Sequence, residues 1–293
     1  MNHASQATQR QTPSRRQFLA ATGAAVASLT WAGQTPVATA AEPPAKKTKP
    51  PKPFQLGLAS YTLRKFDLDK TLAMTKRVGL KYIGFKSFHL PLEATPDEIA
   101  AAVAKVKRAG LVLYSGGVIT MRNQKEIGQA FEYAKAAGMK MIIGAPTAEV
   151  LPLVDEKIRE TGIAVAIHNH GPGDKNFPTP QSVYEKVKDF DRRLGLCIDI
   201  GHTVRIGADL IDSTRKYADR LLDVHIKDVT AATPKGQGTE VGRGIIDIPE
   251  FLRTLIAVNF TGIVAFEYEE QPDDPLPGLA ESVGYTKGVL AML

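Results

Sequence analysis

Residues 163–171 read IAVAIHNHG, a short apolar run that ends in two histidines either side of an asparagine. Side chains alternate between the two faces of a β-strand. Val165 and Ile167 therefore share one face, and Ala164, Ala166 and His168 share the other. Three later stretches repeat the scheme in the same phase. In LGLCID (194–199), Leu196 and Ile198 alternate with Gly195, Cys197 and Asp199. In LDVHIKD (222–228), Leu222, Val224 and Ile226 alternate with Asp223, His225 and Lys227. In IVAFEYE (263–269), Val264, Phe266 and Tyr268 alternate with Ile263, Ala265 and Glu267. Each run pairs a bulky apolar face with a mostly small or polar one. Each also carries a potential metal ligand on the second face near its C-terminal end.

These four runs belong to a longer series. Strands are expected at Gln55–Ala59, Tyr82–Lys86, Leu111–Ser115, Met139–Ile143, Ile163–His168, Leu194–Asp199, Leu222–Lys227 and Ile263–Glu267. Helical segments lie between them with recognisable ends. Thr95-Pro96-Asp97-Glu98 is a capping box with proline at the first helical position, and the helix it opens stops at Gly110. NQKEIGQAFEYAKAAG runs to Gly138, and IPEFLRTLIAV follows Asp247. Strand and helix alternating eight times over residues 54–293 give an α/β fold, a single (β/α)8 TIM barrel with parallel strands, and such barrels commonly occupy about 250 residues. An open doubly wound sheet would want a glycine-rich phosphate turn after its first strand, and LASYTLRKF (58–66) has none.

Side chains on the inner faces of barrel strands converge at the C-terminal mouth, where barrel active sites lie. His168, Asp199, His225 and Glu267 are thus expected to meet. Two imidazoles and two carboxylates form a mixed N/O set suited to one Mn²⁺, Co²⁺, Zn²⁺ or Fe²⁺ and less suited to Ca²⁺.

Composition narrows the partners. The 293 residues are 43% hydrophobic and 23% charged, an ordinary globular balance. The net charge of +6 is confined to one end. Of 37 Lys and Arg and 31 Asp and Glu, residues 1–53 hold seven and one, leaving thirty of each sign in the barrel. No basic footprint for nucleic acid is expected there. SRRQFLA (14–20) places an arginine pair before the moderately apolar Phe18–Trp31, and Ala38-Thr39-Ala40 offers small residues for cleavage. Together they resemble a twin-arginine export signal over residues 1–40. The run is too short and too diluted by small residues for a membrane span. Residues 41–53, including EPPAKKTKPPKP (42–53), read as an extended Pro/Lys-rich linker, and Cys197, the single cysteine, allows no internal disulfide. Passage through the twin-arginine export machinery to the periplasm, or export by that route elsewhere, is expected, with no membrane association after cleavage.

The runs AIHNHG (166–171), LCIDIGHT (196–203), VHIKD (224–228) and AFEYE (265–269) together resemble the xylose-isomerase-like sugar isomerase/epimerase superfamily, over essentially Phe54–Leu293. The resemblance implies a barrel holding one divalent metal, with Asp199, His225 and Glu267 as ligands and His202 touching substrate. Sugar epimerases of the family usually carry a glutamate where this chain has His168, and it serves as ligand and as one of two acid/base carboxylates. Histidine keeps a ligand but removes that carboxylate, and HNH looks more like the dehydratase and keto-glycoside-lyase branches.

The chemistry implied is proton abstraction next to a carbonyl, with a metal-stabilised enediolate. His170, His202 and Glu267 are the candidate bases, an imidazole being suited to neutral pH. Reprotonation would give an isomer or epimer; loss of a neighbouring group would give elimination. Lys86, in phase with Gly84 at the second strand's end, is a candidate oxyanion or hydroxyl partner. His89, Lys227 and Arg243, the last in the glycine-rich KGQGTEVGRG (235–244), are candidate substrate contacts. The reading is a metal-dependent sugar isomerase or epimerase acting on a small carbohydrate. Elimination of the aglycone from 3-keto-glycosides is the alternative, and it gains from export because sugar phosphates are scarce outside the cytoplasm. A non-catalytic carbohydrate-binding barrel stands third. A metal-dependent endonuclease of the related abasic-site repair group is disfavoured by the barrel's zero net charge.

Overall fold

The eight apolar runs close into one parallel barrel in the computed structural model, which describes residues 54–293. The export signal and linker read at 1–53 lie outside the described residues. The strands are β1 (Gln55–Ala59), β2 (Tyr82–Phe85), β3 (Val112–Met121), β4 (Met141–Pro146), β5 (Ala164–His168), β6 (Leu194–Asp199) and β7 (Leu221–Ile226), with β10 (Ile263–Phe266) closing against β1. Between the last two, β8 (Asp228–Val229) and β9 (Gly238–Thr239) form an antiparallel ribbon at the mouth.

Helices pack around the strands: α1 (Leu68–Arg77), α2 (Pro96–Ala109), α3 (Gln124–Ala136), α4 (Leu151–Thr161), α5 (Pro180–Val187), α6 (Ile200–Arg205), α7 (Leu210–Lys216), α8 (Ile248–Ala257) and α9 (Leu276–Met292). Their starts are set chemically. Thr95 and Glu98 form the expected capping box on α2, and Asn123 and Asp247 cap α3 and α8 through their side chains. Each such cap is worth about 1 kcal/mol. Among the described residues, no helix is long and apolar enough to cross a membrane.

Strand alternation sorts the core into two compartments. Val165, Ile167, Leu196, Ile198, Val224, Ile226, Val264 and Phe266 pack outward with the helices. Ala59, Tyr114 and Ala265 fill one part of the barrel interior, and Ile143, Ala166 and Cys197 another. Leu222 departs from the expected phase. The register between β6 and β7 slips between Leu196 and Cys197, so that Leu196 faces Leu221 and Cys197 faces Asp223. Leu222 falls in the resulting bulge and packs against the inner cluster rather than the helix layer. β3 also runs past its expected end at Ser115, through Gly116 and Gly117, with a second register shift against β4.

Candidate metal centre and catalytic mouth

Each of the four expected ligands sits within one residue of the end of its strand, and their donor atoms lie within 4.8 Å of one another. All four side chains are buried. Nε2 of His168 is 3.3 Å from Oδ2 of Asp199 and 4.0 Å from Oε2 of Glu267. Nδ1 of His225 is 3.2 Å from the same Glu267 oxygen.

Local backbone chemistry aims these groups. Asp199 ends β6 and caps α6, its Oδ1 accepting from the His202 amide at 2.8 Å. One oxygen is thereby fixed in the backbone and the other is turned to the cluster. Asn169 ties the end of β5 to the same corner. Its Oδ1 accepts from the Asp199 amide at 3.0 Å, and its Nδ2 donates to Thr203 Oγ1 at 3.2 Å. The asparagine between the two histidines is therefore a latch between adjacent strands.

The fit to a divalent cation rests first on His168. Neither of its ring nitrogens makes a hydrogen bond, although the side chain is buried, and Oδ2 of Asp199 faces the cluster with the Lys227 ammonium as its counter-charge. Buried polar atoms are rarely left so. Burial pushes His168 down to about 3, so the imidazole is neutral, as a ligand must be. Burial opposes ionisation of Asp199 and Glu267, yet the Lys227 ammonium holds both well below the usual carboxylate range. The donor set of two imidazoles and two carboxylates suits one borderline divalent cation.

Lys227, expected as a substrate contact, is instead paired with the carboxylates of the cluster. Its Nζ lies 2.9 Å from Asp199 Oδ2 and 2.9 Å from Glu267 Oε2, and it also contacts Glu269. Gly201 makes room for its stem, since a Cβ there would stand 2.6 Å from Lys227 Cγ. This ammonium balances the carboxylates at the edge of a cavity of about 220 Å³, which Lys227, Glu267, Glu269, Arg205 and the β9 loop line.

On the other side of the cluster, Lys86, His170 and Asp174 line an open cavity of about 480 Å³. The His170 ring centroid is 4.4 Å from that of His168. Its Nδ1 is 3.2 Å from Oδ2 of Asp174, whose Oδ1 is held by the amides of Asn176 and Phe177. Burial lowers the pKa of His170, and Asp174 opposes the shift. An imidazole oriented by a carboxylate in this way can act as a general base. Sequence reasoning missed Asp174, although a carboxylate four residues after a histidine is a readable signal. Lys86 Nζ donates to the Val118 carbonyl at 3.3 Å, and burial lowers its pKa against the pull of Glu267 and Glu269. His202 lies at the rim, its ring 5.8 Å from His168, and its buried Nδ1 has no partner.

Two expected substrate contacts are not brought here. The chain turns at Lys86, and His89 swings behind the mouth, where Ser60 Oγ and Thr71 Oγ1 each lie 2.9 Å from a ring nitrogen. Ser60 accepts the Lys86 amide at 2.8 Å, so His89 shapes the turn that carries Lys86. Arg243 points outward and pairs with Glu281 on α9. Its loop is held by Asp228, a buried residue the sequence reading passed over. Oδ1 of Asp228 accepts from Val229 and Ile246, and Oδ2 from Gly242 and Gly244. A Cβ on Gly244 would stand 2.1 Å from Asp228 Oδ1, so the approach requires glycine.

Comparison with known proteins agrees with the barrel fold. The profile of the xylose isomerase-like TIM barrel matches residues 48–288. The chain belongs to the xylose isomerase-like TIM barrel family. Within this family it is similar to the rhizopine catabolism protein MocC of Rhizobium meliloti, 26% identical over 145 residues, which are 44% of this chain and 44% of that protein. It is also similar to inosose dehydratase of Geobacillus kaustophilus (strain HTA426), 26% identical over 39% of this chain and 42% of the relative. The match spans less than half the length of these curated relatives. The fold is also that of a solved structure, the apo form of 3-keto-D-glucoside 4-epimerase YcjR from E. coli, which superposes with a TM-score of 0.66 at 16% identity, covering 80% of this chain and 99% of that one. A dehydratase is thus among its relatives in sequence, and an epimerase among its neighbours in fold.

Proposed function

We propose that this barrel is a divalent-metal-dependent enzyme that removes a proton next to the ketone of a sugar or cyclitol and then eliminates a neighbouring group. The observation that carries the reading is the buried His168–Asp199–His225–Glu267 set beside the His170–Asp174 pair. A divalent cation held by those four groups supplies positive charge beside the substrate carbonyl, where negative charge develops.

The chain's own residues do the rest. Asp174 holds the Nδ1 proton of His170, which leaves Nε2 to take the proton from carbon. Lys86, half-buried in the same cavity, is placed to donate to an oxygen that gains charge. Lys227 and Glu269 border the opposite cavity and offer a donor and an acceptor to hydroxyl groups. The basic groups lie asymmetrically about the cluster. Symmetrical epimerisation wants a carboxylate at either side, and His168 stands where one would be; the likeness to inosose dehydratase favours elimination in the same way. Isomerisation or epimerisation of a ketose is the second reading, supported by Glu267, a carboxylate able to return a proton from the other side.

The test is proton NMR in D₂O of Mn²⁺- or Zn²⁺-loaded protein incubated with an inosose, a 3-keto-glycoside and free ketoses. Loss of water or aglycone with a new alkene signal supports the proposal. Deuterium entering an intact skeleton supports the second reading. Equal binding of these compounds by metal-free and metal-loaded protein, with no turnover, would replace both with a non-catalytic carbohydrate-binding barrel.

A further inference from the structure

One layer below the four ligand groups, the barrel interior carries a carboxyl that the proposed reaction does not use. Asp223 lies on β7 two residues before His225, so strand alternation turns both inward. The side chain is completely buried. Oδ1 lies 4.0 Å from Nε2 of His225 and accepts from Sγ of Cys197 at 3.6 Å, whereas Oδ2 has no hydrogen-bond partner. The other nitrogen of His225, Nδ1, faces Glu267 at 3.2 Å. The imidazole therefore spans from the ligand set to a second, deeper carboxyl.

Burying a carboxyl between Cys197 and Ile263 of the neighbouring strands costs several kcal/mol that an apolar side chain would not. A purpose is suggested by what His225 must do. If Nδ1 gives its lone pair to a cation, the ring proton has to sit on Nε2, and Nε2 faces Asp223. Histidines that bind metals commonly donate their second N–H to a carboxylate, which fixes the tautomer and the ring plane. We propose that Asp223 is the positioning residue for His225, taking the Nε2–H and presenting Nδ1 to the cation. The 4.0 Å gap is wider than a hydrogen bond, and closing it to about 3 Å needs only a small turn of either side chain toward the other. Oδ2 makes no hydrogen bond, although the Tyr114 hydroxyl stands near the carboxyl.

The inference rests on the reading of the four residues as a metal site, and the experiment separates the two. Mn²⁺ affinity is measured for the wild type, Asp223→Asn and Asp223→Leu, with the fold checked by circular dichroism and thermal melting. Asparagine can still accept from Nε2–H through its carbonyl, so a loss of about tenfold is expected; leucine cannot, and about a hundredfold is expected. The metal-free Asp223→Leu protein should melt no lower than wild type, because an apolar replacement relieves the buried carboxyl. Should the leucine variant fail to fold, the asparagine variant and the tautomer decide. In Zn²⁺-loaded protein, ¹⁵N NMR of His225 should show the proton on Nε2. Wild-type Mn²⁺ affinity in the folded variants, or a proton on Nδ1, overturns the inference. A second equivalent of Co²⁺ with a thiolate charge-transfer band would also overturn it, by making Cys197, Asp223 and His225 a cation seat of their own. Failure of the wild type to bind Mn²⁺ would overturn the metal-site reading itself.

Discussion

Asp228→Asn is expected to release the loop over residues 235–246 without unfolding the barrel. The substitution keeps Oδ1 and its bonds from Val229 and Ile246, but it places an NH₂ group where Oδ2 accepts from Gly242 at 2.9 Å and Gly244 at 3.0 Å. Two hydrogen bonds to a charged acceptor are lost, and donors face donors. At roughly 1.5–3 kcal/mol for each, the local cost is about 3–6 kcal/mol. Gly242 is exposed and Gly244 half-buried, so the loop can swing into water and shed the conflict. Amide hydrogen exchange at Gly242 and Gly244 should therefore quicken by about 10²–10⁴-fold, while strand amides such as those of Val165 and Val224 stay protected. The melting temperature should fall by only a few degrees. The same loop lines the cavity beside Lys227 and Glu267, so KM should rise more than kcat falls. Unchanged exchange at Gly242 and Gly244 would refute the role given to Asp228; exchange that quickens equally throughout the barrel would show that the loop and core open together.

Asp174→Asn should lower kcat by about 10–10²-fold with little change in KM or bound metal, because it misorients His170 without touching the ligand set; an unchanged kcat would remove His170 as the base. Stability should fall as pH drops from about 7 to about 5, as burial holds His89, His168 and His170 below their ordinary value. Each such group stabilises the fold above its unfolded pKa of about 6.5, and that contribution is lost as pH falls and the unfolded chain takes up the proton. Melting curves of His89→Gln should show a flatter acid limb than wild type, against His225, whose pairing with Glu267 works in the opposite sense despite its burial. Arg220 is buried and donates to the carbonyls of Lys188, Phe190, Asp191 and Leu194. Arg220→Met should cost about 3 kcal/mol or more, read as a Tm lowered by roughly 6–12 °C.

The barrel and the convergence of its four candidate ligands were legible because both follow from a period of two. Once His168, Asp199, His225 and Glu267 fall on inner faces at strand ends, closure of the sheet brings them together whatever the loops do. Phase arguments failed where the backbone broke its own period. Leu222 lies in a bulge that one strand's sequence does not announce, and Gly116-Gly117 hid the second half of β3. Loop and rotamer chemistry was less readable still. Nothing in the spacing of Lys227 says that its ammonium lies between two carboxylates, because that depends on the room left by Gly201 at the start of α6. His89 and Arg243 looked like substrate contacts because they stand in loops after strand ends. Their side chains instead found partners nearby in space and distant in sequence, Ser60 and Thr71 for one and Glu281 for the other. Asp228 was overlooked for the converse reason: it acts through backbone amides that only the folded loop presents, whereas the spacing of Asp174 from His170 was readable.

The central claim is that the four strand-end residues form one metal site. It is tested most directly by measuring bound Mn²⁺, Co²⁺ or Zn²⁺ per chain in the wild type and in His225→Ala, each confirmed as folded by circular dichroism. One tightly held ion per wild-type chain is expected, and its loss from His225→Ala together with all turnover. Retention of a stoichiometric ion by His225→Ala would contradict the site as described here.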